Sequence, residues 1–334
     1  MTVTPVTPPV FIHPLADRHG VPSALLLDAR GMQPETAPLA LLQELAAGSM
    51  ACYFRDGLSE SSQQLLLDAG WQAAPADEIH HSNAALDAEF KELPRTANWI
   101  EGEWFLAPPP KPVGSQAASR ALALKLVQLV SADADTHEIE ALLKQDPTLS
   151  YHLLRLVNSL GMGSARKVSS FSQAILILGR AQLRRWLNLM LFSARQADQR
   201  SPMLLARVAV RARSMELLAK EAGYDKAQQE QAFMGGMFSL LGVLFGMPLA
   251  EVLQPLTISE ELSQALLQRS GTLGQLLTLV EAAEHADLMA LTRGLRALQI
   301  DIAGYNQIQA DAYLWMQAIA AGKSGNDAGT QDDA

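Results

Sequence analysis

Residues 146–163 read DPTLSYHLLRLVNSLGMG, and this stretch decides the fold class of the larger part of the chain. Asp146 can cap a helix, and Pro147 suits the first helical turn. The leucines that follow recur at helical spacing, so one face of the helix is expected to be buried. Asn158 and Ser159 then precede two glycines, where an amide and a hydroxyl can bond to loop backbone groups. The stretch predicts a core helix that ends in an organised loop.

The helical spacing continues from Ser119 onward. Apolar residues recur there every three or four positions, and serine, glycine and aspartate mark the helix ends. We expect helices over residues 202–221, 227–246, 259–269, 273–284, 287–298 and 301–320. The sequence therefore predicts an all-α domain over residues 116–321. The polar tail after it, residues 322–334, is expected to be disordered.

The first hundred residues alternate short apolar runs with helix-like segments. Ala24–Leu27 and Met50–Phe54 have the composition of strands, whereas Thr36–Ala47 and Ser59–Ala69 have helical patterns. Such alternation is typical of α/β structure with a parallel sheet. We expect a small α/β domain over residues 1–106.

The sequence APPPKPVGS, residues 107–115, separates the two parts. It follows a loosely alternating run, Trp99–Leu106, that we interpret as the last strand of the first domain. Three consecutive prolines can continue neither a helix nor a central strand. We therefore predict a stiff, extended linker between two domains.

The amino-acid composition limits the classes of protein to which this chain can belong. A hydrophobic content of 49% and a charged content of 18% are typical of a folded chain. The apolar runs are far shorter than the roughly 20 residues that span a bilayer, and the amino terminus lacks a basic signal-peptide region. The single cysteine, Cys52, excludes an internal disulfide and a cysteine-based zinc site. We expect a cytoplasmic protein that does not associate with membranes.

The charge distribution is uneven. The net charge is −9, yet the segment from Arg155 to Arg213 contains eleven Lys and Arg residues and one acid, Asp198. Such a basic block can attract nucleic acid or an acidic partner. Alternatively, its arginines lie on several helix faces and pair with acids from elsewhere in the fold. Few aromatic residues lie near the block, so stacking on single-stranded nucleic acid is poorly supported, and we favour pairing.

Three ordered blocks, DPTLSYHLLRLVNSLGMG, VSSFSQAILILG and AQLRRWLNLML, resemble the signature of HDOD domains. The resemblance covers about residues 115–320, and it implies an all-α relative of the HD phosphohydrolases. The positions that match the signature are Asp146, Pro147, Leu149, Leu153, Leu154, Arg155, Asn158, Ser159, Ala174, Ile175, Leu178 and Gly179.

The same resemblance implies which positions would ligate a catalytic metal in this domain. HD enzymes hold a divalent metal with an adjacent His-Asp pair and further ligands on neighbouring helices, and the metal activates water. The expected pair falls on Ser239 and Leu240, and an upstream family histidine falls on Arg213. Leucine has no donor atom, and arginine cannot ligate a cation. We expect no metal, no cofactor and no catalysis in this domain, and we interpret His80 and His81 as part of a solvated loop.

The first domain has a resemblance of its own. FIHPLADRHGVPSALLLDAR is similar to the opening of EAL domains in EAL–HDOD tandem proteins, and WIEGEWFLAPPPKP is similar to their closing strand. An EAL phosphodiesterase is a full β/α barrel that holds metals with carboxylates at its strand ends. Here the chain is far too short for a full barrel, and the strand that should carry Glu-x-Leu reads Ala24-Leu25-Leu26. The resemblance implies a truncated, degenerate domain that does not hydrolyse cyclic di-GMP.

Both modules thus resemble nucleotide-hydrolysing folds that have lost their metal-ligating side chains. The favoured hypothesis is a non-enzymatic bacterial signalling adaptor that contacts a kinase, a response regulator or a cyclic di-GMP enzyme. Its candidate partner surface consists of Arg180, Arg184, Arg185 and Trp186, because Trp and Arg are enriched at interface hot spots. Alternatively, Trp186 packs in the core and the three arginines are merely solvated.

Three alternative functions stay open. One is a sensor that binds a nucleotide such as cyclic di-GMP without hydrolysis, although GMGSARK, residues 161–167, lacks the spacing of a phosphate-binding loop. The others are a nucleic-acid binder and a residual phosphohydrolase. The sequence predicts neither the identity of the partner nor the oligomeric state.

Overall fold

A computed structural model describes residues 7–84, 86, 90, 93–107, 124–143, 185, 187–188 and 199–324. The described residues up to 107 contain six strands and two α-helices, and the described residues from 124 onward form helices joined by turns. The strands are β1 (Phe11–Ala16), β2 (Pro22–Asp28), β3 (Ala51–Phe54), β4 (Gln72–Ala73), β5 (Ile79–His81) and β6 (Trp99–Glu101).

Most of the described helices agree with the predicted segments. Those within the first hundred residues are α1 (Leu39–Ala46) and α2 (Glu60–Asp68). Those of the second part are α3 (124–131), α4 (Thr136–Leu143), α5 (Ser201–Glu221), α6 (Lys226–Phe238), α7 (Leu241–Phe245), α8 (Leu249–Leu253), α9 (Glu260–Gln268), α10 (Gly271–Glu284), α11 (Leu288–Ala297) and α12 (Ile302–Ser324). None of the described helices is long and apolar enough to cross a membrane.

The six strands form one mixed sheet in the order β4-β3-β2-β1-β6-β5. Strand β1 is antiparallel to both of its neighbours, whereas the other pairs are parallel. The expectation of a purely parallel sheet is therefore wrong for β1. The reason is the short turn between β1 and β2, in which Gly20 has a φ of 76°, because a short turn can join only antiparallel strands.

The predicted strand Trp99–Leu106 is shorter than expected. Only Trp99–Glu101 pairs in the sheet, and Trp104–Leu106 forms a 3-10 turn. Gly102 lies between the two with a φ of 102°. This left-handed backbone, which glycine adopts without strain, ends the strand.

The sheet is strongly curled. Strands β4 and β5 are its two edges, yet only residues 74–78 connect them, so the edges approach each other. Tyr53 on β3 and Trp99 on β6 are in ring contact across the concave face. Beneath them the inward-facing side chains of Leu15, Ala24 and Leu26 are fully buried. The concave face therefore has a small apolar core of its own.

The convex face of the sheet packs against helices. Leu25, Leu27, Cys52 and Phe54 belong to a hydrophobic cluster that continues without interruption into the second part of the chain. Helices α5 and α10 pack against β1, and α12 packs against α1. The two parts therefore share one core.

Helix α12 also bonds directly to the backbone of the first part. Asn306 accepts a hydrogen bond from Val10 N at 2.9 Å and donates one to Pro8 O at 2.9 Å. The Tyr305 hydroxyl donates to Val10 O at 3.3 Å, and the Tyr313 hydroxyl donates to Ile12 O. These bonds fix α12 along the entry to β1. Its helical residues extend past the predicted boundary at residue 321.

Two local predictions have contrasting outcomes. The cap of α2 is confirmed, since Ser59 Oγ accepts a hydrogen bond from Ser62 N, and Gly70 follows the helix with a φ of 90°. The single helix predicted over 227–246 is wrong, because the structure breaks it at Ser239 and Leu240. The Ser239 hydroxyl donates to Gly236 O at 2.7 Å, and such side-chain bonds to the preceding turn compete with helix continuation.

Candidate functional site: a buried charge network between the sheet and the helices

Two arginines on α5 form the centre of the network. Arg207 and Arg211 are four residues apart, so both side chains lie on one face of the helix. Their side chains are only 8% and 5% exposed. Buried charges are costly unless they are paired, and both arginines meet the carboxylate of Glu284 at the end of α10.

Glu284 binds both guanidinium groups. Arg211 Nε and Nη2 donate to its two carboxylate oxygens at 2.9 and 2.6 Å, which is a bidentate pair. Arg207 Nη1 lies 3.0 Å from Glu284 Oε2 as an ion pair. Burial alone would raise the pKa of Glu284, but the two arginines outweigh it and lower that pKa to about 2. The carboxylate is therefore held in its charged form.

The network reaches the sheet through Glu103, which follows β6. Its Oε1 lies 3.9 Å from Arg207 Nη1 and 3.4 Å from His285 Nε2. The Arg207 guanidinium also lies over the ring of Phe105, 5.4 Å from the centroid. Arg207 therefore connects Glu103, at the end of the sheet, with Glu284 on α10.

On the helical side the network reaches the break at Ser239 and Leu240. Arg211 Nη1 donates to Ser239 Oγ at 2.9 Å, and Leu240 is buried. Arg213, on which the upstream family histidine falls, donates to Glu216 at 2.7 Å. The residue that contacts Ser239 is therefore Arg211, not Arg213.

The donor set around Ser239 does not fit a divalent metal. One hydroxyl and one carboxylate, that of Glu284, stand against the fixed positive charges of Arg207 and Arg211. A metal site needs several anionic or neutral ligand atoms rather than cations. Within the described ranges, no three His, Cys, Asp or Glu side chains are grouped in a way that could hold a metal ion.

Arg185 has a place inside the fold. Its side chain is 14% exposed, and it donates to Glu216 at 2.8 Å and to Glu230 at 2.8 Å. Its guanidinium lies 4.4 Å from the ring centroid of Phe233. This placement corrects its assignment to the exposed partner surface. Arg180, Arg184 and Trp186 lie outside the described residues.

Three of the described arginines of the basic block pair with acids from other segments, whereas Arg213 pairs with Glu216 on its own helix and Arg200 donates to the carbonyl of Ala107. Arg185, Arg207 and Arg211 pair with Glu216, Glu230 and Glu284, as described above. This agrees with the favoured interpretation of the block. These guanidinium groups are consequently directed at carboxylates of the fold.

A second polar cluster lies on the concave side of the sheet, at the carboxyl ends of its parallel strands. Arg55 pairs with Glu101 across the curled sheet, and His81 Nδ1 lies 3.6 Å from the same carboxylate. Asp28 accepts hydrogen bonds from Arg30 at 2.9 Å. Burial would raise the pKa of Asp28, but the bonds from Arg30 lower it. His80 and His81 lie on strand β5, so their assignment to a loop is wrong, although the side chain of His81 is exposed as expected.

His13 on β1 lies among these charges. Burial and the nearby guanidinium groups of Arg207, Arg55 and Arg30 lower the pKa of His13 to about 4, against the opposing effect of Asp28. The imidazole is therefore neutral near pH 7. The position expected to carry a catalytic glutamate is Ala24, which is fully buried in the small core below.

The network was only partly visible in the sequence. The resemblance pointed to Ser239 and Leu240, but Arg207, Arg211 and Glu284 were missed. Two arginines at four-residue spacing in the mainly apolar segment 202–212 were the available signal, since such a face needs buried acids opposite it. The family-signature positions lie outside the described residues: Asp146, Pro147, Leu149, Leu153, Leu154, Arg155, Asn158, Ser159, Ala174, Ile175, Leu178 and Gly179.

Known proteins are similar to parts of this chain. Cyclic di-GMP phosphodiesterase CdgJ of Vibrio cholerae is 33% identical over 193 residues, which are 58% of this chain and 44% of that protein. Protein YuxH of Bacillus subtilis is 29% identical over 161 residues, which are 48% of this chain and 39% of that protein. The chain thus spans less than half the length of either relative.

This chain is also similar to a solved structure and to a known domain family. A crystal structure of a phosphohydrolase candidate from Shewanella amazonensis SB2B covers 60% of this chain and 93% of that chain, with a TM-score of 0.42 and 17% identity. The model of the HDOD domain matches residues 119–288, just over half of the chain. The chain therefore belongs to the HDOD family.

Proposed function

We propose that this protein is a non-catalytic regulator that acts in cyclic di-GMP or two-component signalling by contacting a signalling protein. The observation that carries the proposal is the position of Arg211. Its buried guanidinium bonds to Ser239 and to both oxygens of Glu284. A fixed cation therefore lies beside Ser239, the position at which the resemblance to HD enzymes would place a metal-ligating histidine.

The sheet supports the same proposal. Its concave face is filled by Leu15, Leu26 and their apolar neighbours, and the carboxyl end above them is bridged by the ion pair of Arg55 and Glu101. A barrel-type active site needs an open mouth lined with catalytic carboxylates. The carboxylates Asp28 and Glu101 are instead each bonded to an arginine.

The pathway is proposed from the relatives. The name of CdgJ describes a cyclic di-GMP phosphodiesterase, and the similar segment covers under half of that protein. We therefore take cyclic di-GMP signalling, and not hydrolysis, as the context for this chain. The partner would be a kinase, a response regulator or an enzyme of cyclic di-GMP metabolism.

A second candidate function is a sensor that binds cyclic di-GMP without hydrolysing it. The observation that favours it is that two partly exposed arginines, Arg30 and Arg55, lie at the carboxyl ends of the parallel strands. Phosphodiester groups are attracted to such arginine clusters. Binding there would require Arg55 to release Glu101.

The first experiment is an isothermal titration of the full chain with cyclic di-GMP, with and without magnesium, followed by an assay of the samples for linear dinucleotide. The regulator proposal expects neither heat nor product. Heat without product, lost in the Arg55→Ala variant, would replace it with the sensor function. Product formation would overturn both.

A partner assay completes the test. The full chain would be mixed with purified kinases, response regulators and cyclic di-GMP enzymes from its own organism, and complexes would be detected by size-exclusion chromatography. We expect a complex with at least one of these classes. The absence of any complex, together with hydrolysis in the first assay, would identify an enzyme instead.

A further inference from the structure

We propose that a cavity in the helical part binds a small uncharged molecule that has an apolar body and an N–H or O–H donor. The cavity measures about 280 Å³ and lies between the end of α3, one face of α6 and the segment that leads into α9. It is separate from the charge network, and the proposed regulatory function does not depend on it.

The walls of the cavity are mainly apolar. Val130 comes from α3, Phe238 from α6 and Leu262 from α9, and all three are almost fully buried. Met234 and Ile258 add further apolar surface to the lining. Ligand pockets usually combine such walls with a few well-placed polar groups, so the occupant is expected to have an apolar body.

Within the described part of the chain, two of the polar side chains that line the cavity each have one atom without a hydrogen-bond partner. Ser131 and Glu230 both line it, and among the described residues Ser131 Oγ and Glu230 Oε1 are buried without a hydrogen-bond partner. Asn188 Oδ1 is in the same condition, and its amide nitrogen lies 3.7 Å from the sulfur of the lining residue Met234.

The unpaired carboxylate oxygen of Glu230 can only accept a hydrogen bond, so it favours an occupant that donates, whereas the Ser131 hydroxyl can accept or donate. A buried polar atom without a partner is destabilising, and native proteins contain few of them. The Ser131 hydroxyl can turn toward the cavity by changing between staggered rotamers. An occupant with an N–H or O–H group would then satisfy an acceptor that the empty cavity leaves unpaired.

The charge balance around the cavity favours an uncharged occupant. The Glu230 carboxylate is paired with Arg185, which also binds Glu216, and Glu216 in turn binds Arg213. Two arginines and two glutamates leave no net charge. A charged occupant would lose its hydration without gaining an opposite charge, and that loss is costly.

The size of the cavity sets the size of the occupant. Its volume lies at or below the lower end of the range for ligand pockets, which is about 300–1,000 Å³. It therefore suits one or two fused rings and is too small for a dinucleotide or a folded peptide. This separates the inferred ligand from cyclic di-GMP.

A matched pair of probes tests the proposal. Indole has an apolar two-ring body with one N–H donor, and benzofuran has nearly the same shape with an oxygen in place of that group. Each would be titrated into the full chain and followed by isothermal calorimetry and by protein-observed NMR. We expect saturable one-to-one binding of indole and roughly tenfold weaker binding of benzofuran, which is the effect of about one hydrogen bond.

Three variants place the binding in the cavity. Ser131→Ala should weaken indole binding while leaving benzofuran binding unchanged, and Ser61→Ala, the same change on exposed α2, should alter neither. Ile258→Trp should fill the cavity and abolish the binding of both probes. Thermal unfolding of each variant confirms that it is folded.

The opposite results would overturn the proposal. Absence of saturable indole binding would mean that the cavity holds water only. Equal affinities for the two probes would remove the requirement for a donor. Equal effects of Ser131→Ala and Ser61→Ala would place any binding elsewhere on the protein.

Discussion

Tyr53 and Trp99 are in contact, with ring centroids 5.7 Å apart, although two other strands lie between theirs in the sheet. Neighbouring strands are about 4.8 Å apart, so in a flat sheet the two residues would be roughly 14 Å apart. The contact therefore measures the curl of the sheet. It covers Leu15 and Leu26 on the concave face. Six short strands can therefore enclose a small apolar core although they do not form a closed barrel.

We expect Trp99→Ala to destabilise the protein by about 2–4 kcal/mol, because it removes aromatic area and uncovers the small core. Unfolding in urea, followed by circular dichroism, measures this loss. A double-mutant cycle with Tyr53→Ala should give a coupling of about 0.5–1.5 kcal/mol. The control is Leu67→Ala on α2, where the side chain is 48% exposed. A coupling near zero would contradict the contact.

The charge network predicts a strong effect at Glu284. Glu284→Gln leaves Arg207 and Arg211 buried without their shared counter-charge, and we expect a loss of about 3–5 kcal/mol in the free energy of unfolding. The same change at Glu260, which is exposed and accepts a hydrogen bond from Gln264, should cost at most about 1 kcal/mol. Equal losses in the two variants would show that the buried pair contributes nothing special.

His13 predicts a pH dependence of stability. Its pKa is lowered from 6.5 to about 4 by burial and by the neighbouring arginines. The unfolded chain therefore binds a proton between these two values that the folded chain does not. The contribution is fully present above about pH 6.5 and is lost as the pH falls toward 4.

This dependence can be isolated with two histidine variants. The slope of unfolding free energy against pH between 4 and 6.5 should decrease in His13→Gln. The exposed residue His19 provides the control, since His19→Gln should keep the slope of the parent protein. An unchanged slope in His13→Gln would place the titrating group elsewhere.

The hydrogen bonds of α12 predict that Asn306→Ala is destabilising by about 2–3 kcal/mol. The substitution removes two hydrogen bonds and leaves the buried N–H group of Val10 without its acceptor. Its neighbour on the helix, Gln307, bonds only to Asp311 at the surface, so Gln307→Ala should change the stability by less than about 0.5 kcal/mol. Both values are measurable by chemical unfolding.

The buried thiol of Cys52 should be protected from thiol reagents in the folded protein. The side chain is 4% exposed, and burial raises the pKa of its thiol to about 12. Since the thiolate is the reactive form, we expect slow labelling by an aromatic disulfide reagent in the native state and fast labelling in denaturant. Because the chain has one cysteine, the labelling rate reports opening of the sheet directly. Native labelling as fast as that of a free thiol would contradict the described packing.

The parts of the fold that were predictable have local causes. The spacing of apolar residues and the Ser59 cap placed α2 correctly, and the same reasoning placed α5 and α9 to within a residue or two. In these segments the pattern, the cap and the packing all favour the same structure. Prediction succeeded because no distant residue was needed.

The unpredicted parts depend on distant partners. The break after Phe238 involves Arg211, which is 28 positions from Ser239. The curl depends on Tyr53 and Trp99, which no periodicity connects. The exposed interface expected at Arg185 failed for the same reason, since its acidic partners lie in α5 and α6.

Helix α12 lies beyond the residues that match the family model, yet it supplies hydrogen bonds to the entry of β1. Val10 and Asn306 are 296 positions apart. At about 5–20 residues per second of synthesis, the first strand waits roughly 15–60 s on the ribosome before its partner helix emerges. During that interval its backbone is open to chaperones and to other nascent chains. The pace of translation, which no side chain encodes, thus sets how long this protein is exposed to misassembly.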